Sequence, residues 1–382
     1  MGFLKKIHIT YIILIILFGC TRTIHFYDYN EKAERISLYG NNSKRNFFIN
    51  QNVTIDKEPL WDTSIYASFS KSSFVAYDSI LFVSDLGGRI TAINIKNGKK
   101  NGEIKYKGSI EQAPILDDKN LIFILNETQE KSSELIVYDF VDGSESENTK
   151  LDGKVTNEFI LQNENIYVLA DFGILYKFNK NGVLIWQKDL HTNFFSDPAA
   201  DDKNLYGLSL DGILFSVKLD NGDINYKKKI SEGFQSGISL YDQNLFFGDE
   251  DGNMFSVNKN NGYINWKYDT KFKIKAIPSF DESSVYIGNL NGDLYSFNTH
   301  DGNLKWILKT EGLINTTPII FKNMLIQPNL KKQVDLVDKL NGKILKSMPF
   351  DERCRTTPFY FKGKLFLGID KDDVYCFKVN EI

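Results

Sequence analysis

The chain has 382 residues, a formal charge of −3, 42% hydrophobic and 14% aromatic residues. This is the composition of a folded protein rather than a disordered tail, and without a basic stripe it argues against a nucleic-acid partner. Three cysteines, Cys20, Cys354 and Cys376, exclude a larger disulfide framework.

The N-terminus reads as an export signal. Lys5 and Lys6 form a basic head, Ile7 to Phe18 is mostly apolar, and the stretch closes on Leu17-Phe18-Gly19-Cys20. A dozen apolar residues are too few for a helix across a hydrocarbon core of ~30 Å, which takes about 20. Residues 1–19 are therefore predicted to be a removed signal peptide, and their loss takes two lysines and moves the charge from −3 to about −5. The Leu-x-Gly-Cys ending resembles the bacterial lipobox, which implies that Cys20 is lipidated and becomes the new N-terminus. A plain signal peptide with an incidental cysteine is the alternative. Several acyl chains on one residue anchor durably where one chain binds only marginally. Between the anchor and the fold, Thr21 to Asp56 is polar, rich in Asn, Lys and Glu and without repeat. Residues 20–56 are thus expected to be the lipidated N-terminus and a flexible tether.

From residue 57 to 382 the chain repeats itself. Asn181 to Trp186 (NGVLIW), Asn221 to Tyr226 (NGDINY), Asn261 to Trp266 (NGYINW), Asp301 to Trp306 (DGNLKW) and Asn341 to Lys346 (NGKILK) are copies of one unit, their glycines 40 positions apart. A second series, Gly212, Gly252 and Gly292, keeps the same step. Asn-Gly and Asp-Gly between alternating apolar and polar residues signal hairpins, here read as two-residue type I′ turns. Two hairpins per unit give strands A to D, in one unit near Gly237 to Tyr241, Leu245 to Asp249, Met254 to Lys259 and Ile264 to Asp269. Periods of about 40 to 45 residues built of short strands indicate propeller blades, and four antiparallel strands make one blade. The recurring aromatic (Tyr106, Trp186, Tyr226, Trp266, Trp306) is read as a packing residue between blades.

Counting B–C hairpins, from Ile80 to Ile93 through Leu365 to Phe377, gives eight blades. The second carries a polar insertion around Asn126 to Ser133, and the first has extra residues near Lys99 to Gly102. The last blade lacks its D strand, whose aromatic would fall past Ile382. Trp61 precedes Phe82 by 21 residues, close to the 20 between Trp266 and Tyr286. Glu58 to Ser68 is therefore predicted to complete the eighth blade and leave no open edge. The fold class is all-β: an eight-bladed β-propeller with four-stranded antiparallel blades, closed by an N-terminal strand. Cys354 and Cys376 then lie on non-neighbouring strands, as two small buried side chains.

The pattern from Val285 to Trp306 resembles the tryptophan-docking repeat of quinoprotein-type propellers, from about Trp61 to the C-terminus. Dehydrogenases, sensor ectodomains and assembly factors share that repeat. With the lipobox and a single domain, the chain is similar to the BamB family of the outer-membrane β-barrel assembly machinery. The resemblance implies a lipid-anchored scaffold on the periplasmic face of the outer membrane. Its partner would be the periplasmic domains of the machinery's central subunit, and it would need no cofactor and no catalysis. It also implies partner contact through Leu190 to Asp197 and Ser231 to Gly237. Leu190 fits the apolar pattern of the first loop, whereas the acidic residues of the second are missing near Gln235. Within the first loop Phe194 and Phe195 stand side by side, and a strand turns only one of two successive side chains inward. Leu190, Phe194 and Phe195 are the candidate contact residues.

The alternatives are an envelope propeller that senses a ligand or serves as structure, and a quinone-dependent dehydrogenase. The dehydrogenases of this fold hold their cofactor against an adjacent cysteine pair, with calcium and a catalytic aspartate beneath. Cys354 and Cys376 are 22 residues apart. His25, His191 and His300 are isolated, so no zinc site is expected. The run Asp370-Lys371-Asp372-Asp373 occupies a B–C turn and reads as a solvated turn.

Overall fold

Each repeat folds as two fused hairpins because its glycines and Asx residues dictate where the chain reverses. The computed structural model describes residues 23–129 and 131–382; the predicted signal peptide and Cys20 lie outside the described residues. In the fifth blade the strands are Ser239–Tyr241, Asn244–Gly248, Asn253–Asn258 and Ile264–Asp269. The turns are longer than the two-residue type I′ reading. Asp249 N–H donates to Asn253 O and Asn258 N–H to Tyr263 O, which leaves three-residue and four-residue loops. The Asp249 carboxylate accepts from the backbone of Asp251 and Asn253, and Asn258 Oδ1 accepts from Asn260, so side chains close the wider loops. Gly252 and Gly262 keep the expected role at φ +91° and +70°, as the last residue of each loop.

Among the described residues there are eight sheets, each built on four antiparallel strands, and no helix. They span 74–105, 115–152, 160–189, 199–229, 239–269, 279–309, 319–349 and 359–381, the last completed from the N-terminus. The chain is an all-β, eight-bladed propeller. In five of the eight blades an aromatic of the D strand, Trp61, Trp186, Tyr226, Trp266 or Trp306, locks the blade to the next. The indole N–H of Trp186, Trp266 and Trp306 donates to Asp220 O (2.8 Å), Thr299 O (3.2 Å) and Lys339 O (3.0 Å) in the following blade's C–D turn. The ring also covers that turn's glycine: a Cβ on Gly302 would meet Trp266 at 2.5 Å. Tyr226 does the same through its hydroxyl, on Lys259 O at 2.8 Å. In the seventh blade Lys346 stands in the aromatic's place and reaches Ile55 O at 3.4 Å.

Three N-terminal strands complete the sheets: β1 (Arg35–Ile36), β2 (Phe48–Ile49) and β3 (Val53–Ser64). As expected, the eighth blade is closed by the N-terminal segment. Strand β3 pairs antiparallel with Asp373–Glu381, placing Trp61 opposite Cys376, and begins at Val53 rather than Glu58. The Trp61 indole donates to Ile95 O of the first blade at 3.1 Å, so the lock runs across the closure too.

The expected flexible tether is corrected from residue 23 onward. Strand β1 adds antiparallel to the innermost strand of the first blade, and β2 adds parallel to that of the seventh. Between them residues 37–47 cross the central channel. Backbone N–H groups of Leu116, Ala200, Leu240 and Ile320 donate to the carbonyls of Ser37, Ser43, Lys44 and Phe47 at 2.8–3.0 Å. Innermost strands present unpaired backbone groups to the axis, and a polar segment satisfies them one blade at a time, so it needs no period of its own. Ile24, Tyr39, Arg45 and Phe47 are buried. A chain starting at Asn52 keeps β3 and loses this axial segment. At ~1 kcal/mol per backbone hydrogen bond, four lost bonds remove about 4 kcal/mol. Denaturant unfolding should therefore show the Asn52 chain clearly less stable than one starting at Thr23; equal midpoints would reject an integral axial segment.

Candidate functional site

The strand order divides the ring into two ends. The A–B and C–D turns share one end, and the B–C turns and D–A links share the other. The N-terminal segment lies on the first: His25 stacks over Gly143 in a C–D turn, Tyr138 donates its hydroxyl to Ile24 O at 2.7 Å, and Asp78 N–H donates to Glu34 O beside an A–B turn. The B–C end is left uncovered by it.

On the B–C end, between the third and fourth blades, an open groove of about 530 Å³ is lined by Phe172, Asp189, His191, Thr192, Asn193, Leu210 and Asp211. The backbone fixes its walls. Leu190 N–H donates to Gly173 O, Phe194 N–H to Asp171 O and Leu210 N–H to Asn193 O, at 2.7–2.9 Å. Thr192 Oγ1 donates to Asp211 Oδ1 at 2.6 Å, which holds the Asp211 carboxyl below its ordinary range. Burial pushes Asp171 up to about 6, against hydrogen bonds from Thr156 N–H and Oγ1. His191 Nδ1 lies 3.0 Å from Asp189 Oδ2, both exposed.

The adjacent phenylalanines part as the alternation requires. Phe195 is 38% exposed, whereas Phe194 is 0% exposed and packs against Phe215 at 5.4 Å between ring centres. Leu190 is buried in the same cluster. Of the three candidate contact residues only Phe195 presents its side chain; Leu190 and Phe194 are corrected to core positions, because a partner could reach them only by opening the packing between blades. Phe172, 53% exposed at the tip of the third blade's B–C turn, was missed. Its signal was an aromatic directly before the turn glycine, where the other regular turns carry Asp211, Asp251 and Asn291. In the second loop Phe234 is buried, and acidic groups come from Glu232 and from Glu250, which pairs with Lys273.

The axial channel is another concave part of the ring, and the chain itself fills it. Arg45, fully buried, donates to Tyr39 O (2.8 Å), Pro198 O (3.2 Å) and Phe159 O (3.3 Å). Around it, Lys71 pairs with Asp197 and Ser72 donates to Glu158. Burial would raise Asp197, but Lys71 and Arg45 outweigh it and hold the carboxyl low. For Glu158 burial wins, reinforced by the Asp197 charge, and its carboxyl is pushed up to about 8. Cys354 and Cys376 are unpaired and buried, their thiols pushed up to about 12 by burial, so neither offers a thiolate near neutrality. Among the described residues no group of three His, Cys, Asp or Glu side chains could hold a metal ion.

Two outcomes follow from this packing. Phe194→Ala should cost about 3 to 5 kcal/mol by comparison with core phenylalanine truncations, and Phe195→Ala about 0.5 kcal/mol, as expected at the surface; similar losses in chemical denaturation would contradict the assignment. Glu158 binds a proton in the fold that it gives up on unfolding between its ordinary value and about 8. Its contribution to stability is present at the acid side of that window and falls as pH rises through it. Glu158→Gln should therefore melt above the parent near pH 9, and the gap should shrink toward pH 5; a pH-independent gap would refute the raised carboxyl.

Comparisons with known proteins agree on the architecture. BamB from Moraxella catarrhalis superposes with a TM-score of 0.69 at 13% identity, over 86% of this chain and 100% of its own. A europium-containing methanol dehydrogenase gives 0.77 at 9% identity, over 90% of this chain and 98% of its own. The quinohemoprotein alcohol dehydrogenase of Comamonas testosteroni gives 0.74 at 9%, over 90% and 80%. At such identities these structures share the fold alone. No curated protein matches the sequence significantly. The sequence model of the outer membrane protein assembly factor BamB, however, matches residues 53–268 and 211–359, most of the ring from β3 onward. On that match, the chain belongs to the BamB family of PQQ-repeat propellers.

Proposed function

We propose that the protein is a lipid-anchored scaffold of the cell envelope. In this reading its B–C end binds the periplasmic domains of the central subunit of the β-barrel assembly machinery, at the outer membrane. The observation that carries the reading is the rim between the third and fourth blades. Two aromatic side chains, Phe172 and Phe195, stand exposed there on turns pinned by backbone hydrogen bonds. Rigid aromatics at a rim lose little freedom on contact and tend to carry binding energy. The family match supports the same reading.

The dehydrogenase reading is disfavoured by the axis. A cofactor needs a concave, accessible site, and here residues 37–47 occupy the channel with Arg45 satisfied by carbonyls of three segments. The separated, buried thiols of Cys354 and Cys376 offer no adjacent pair to a quinone. The chain is accordingly read as a binding protein and not an enzyme.

The combined change Phe172→Ala and Phe195→Ala should weaken capture of the periplasmic domains of the central assembly subunit by about 30-fold, the size of one hot-spot loss, with the thermal midpoint within about 2 °C of the parent. Capture measured on immobilised protein that stays unchanged would remove the interface from this rim. Capture of no assembly subunit by the parent protein would reject the scaffold reading itself.

A further inference from the structure

We propose that the A–B end of the ring is a membrane-contact surface, seated on the headgroup layer of the bilayer that carries the anchor. This rests on the reading of Cys20 as the lipidated residue. The first argument is length. Only Thr21 and Arg22 separate Cys20 from the first described residue, Thr23. An extended chain covers at most about 3.5 Å per residue, so Ile24 lies within roughly 15 Å of the anchored residue. Ile24 is already fully buried, its carbonyl held by Tyr138, and Phe26 N–H donates to Phe140 O at 2.8 Å. The fold therefore starts almost at the anchor, and the end of the ring that receives Ile24 cannot swing far from the bilayer.

The second argument is what that end displays. Turn tips are ordinarily polar. Here Leu340 stands at the C–D tip of the seventh blade, 83% exposed, at the position that Lys180, Asp220, Asn260 and His300 fill in the four preceding blades. Tyr263 and Val183 are exposed in the C–D turns of the fifth and third blades, and Tyr27 is 76% exposed on the N-terminal segment. Exposed lysines lie between them, among them Lys96, Lys99, Lys322 and Lys343. Tyrosine and lysine pair an apolar body with a polar tip, the combination that suits the boundary between headgroups and acyl chains. Acidic residues such as Asp223 and Asp242 alternate with the lysines, so the short leash and the apolar tips, rather than net charge, seat the ring. The B–C end, with Phe172 and Phe195, then faces away from the membrane.

The test uses the full acylated protein in vesicles of phosphatidylethanolamine and phosphatidylglycerol that contain headgroup spin-labelled lipid. A thiol-reactive fluorophore is placed singly through Leu340→Cys or Tyr263→Cys on one end, and Phe195→Cys or Leu313→Cys on the other; the native Cys354 and Cys376 are buried and do not compete. Quenching at positions 340 and 263 at least twice that at 195 and 313 is the expected result. Equal quenching at both ends, or stronger quenching at 195 and 313, overturns the proposal. The mass of the protein purified from membranes separates the two levels of the argument. A chain without acyl groups on Cys20 ends the anchoring reading and this one with it, whereas an acylated chain with even quenching ends this one alone.

Discussion

A ring of blades holds only if its first and last blades meet, and here that junction is a single antiparallel ladder between β3 and Asp373–Glu381. Every blade borrows stability from its neighbours, because one face of each sheet is covered by the next. An unclosed ring would leave two such faces and two strand edges in water. Trp61 makes the junction equivalent to the tryptophan-locked ones, since it docks on the first blade as Trp186, Trp266 and Trp306 dock on theirs. The fixed positions of the rim loops follow from this closure: Phe172 and Phe195 are displayed by links whose ends are clamped in adjacent sheets.

The repeat was legible because one physical device writes it. A glycine at the last loop position needs a positive φ, and the aromatic that follows needs that same glycine's missing Cβ in the next blade, so both recur at one spacing. Blade number, strand order and the closing strand could be read from those marks. The turn type could not, since Asn-Gly and Asp-Gly also end three- and four-residue loops when an Asx side chain accepts backbone N–H groups, as Asp249 and Asn258 do. The axial segment left no mark at all. Its contacts to the innermost strands are made largely by backbone carbonyls, which any residue supplies, its buried Leu38, Tyr39 and Phe47 follow no period, and Arg45 looks in sequence like a solvated charge.

The rim was legible by halves. Alternation says that one of Phe194 and Phe195 must face out, but not which, and the packing of Phe194 against Phe215 decides it. Phe172 belongs to a different hairpin, and only the folded ring brings it beside that link. Fold likeness alone would leave a dehydrogenase and an assembly factor equally near. The non-enzymatic reading proposed above leans on the contents of the axis, where Arg45, Lys71, Asp197 and Glu158 form a cluster compensated within the chain.

The thread through the axis also orders events in time. Residues 37–47 are synthesised before any blade, yet their hydrogen-bond partners are Leu116, Ala200, Leu240 and Ile320. They cannot settle until at least the seventh blade exists, and β3 must wait for the strand that ends at Glu381. The earliest part of the chain is thus among the last to find its place, and the ring has to assemble around a strand that is already there. Contacts of such long sequence separation slow folding. They also make it cooperative, because the thread and the closure are completed only by a ring that has every blade.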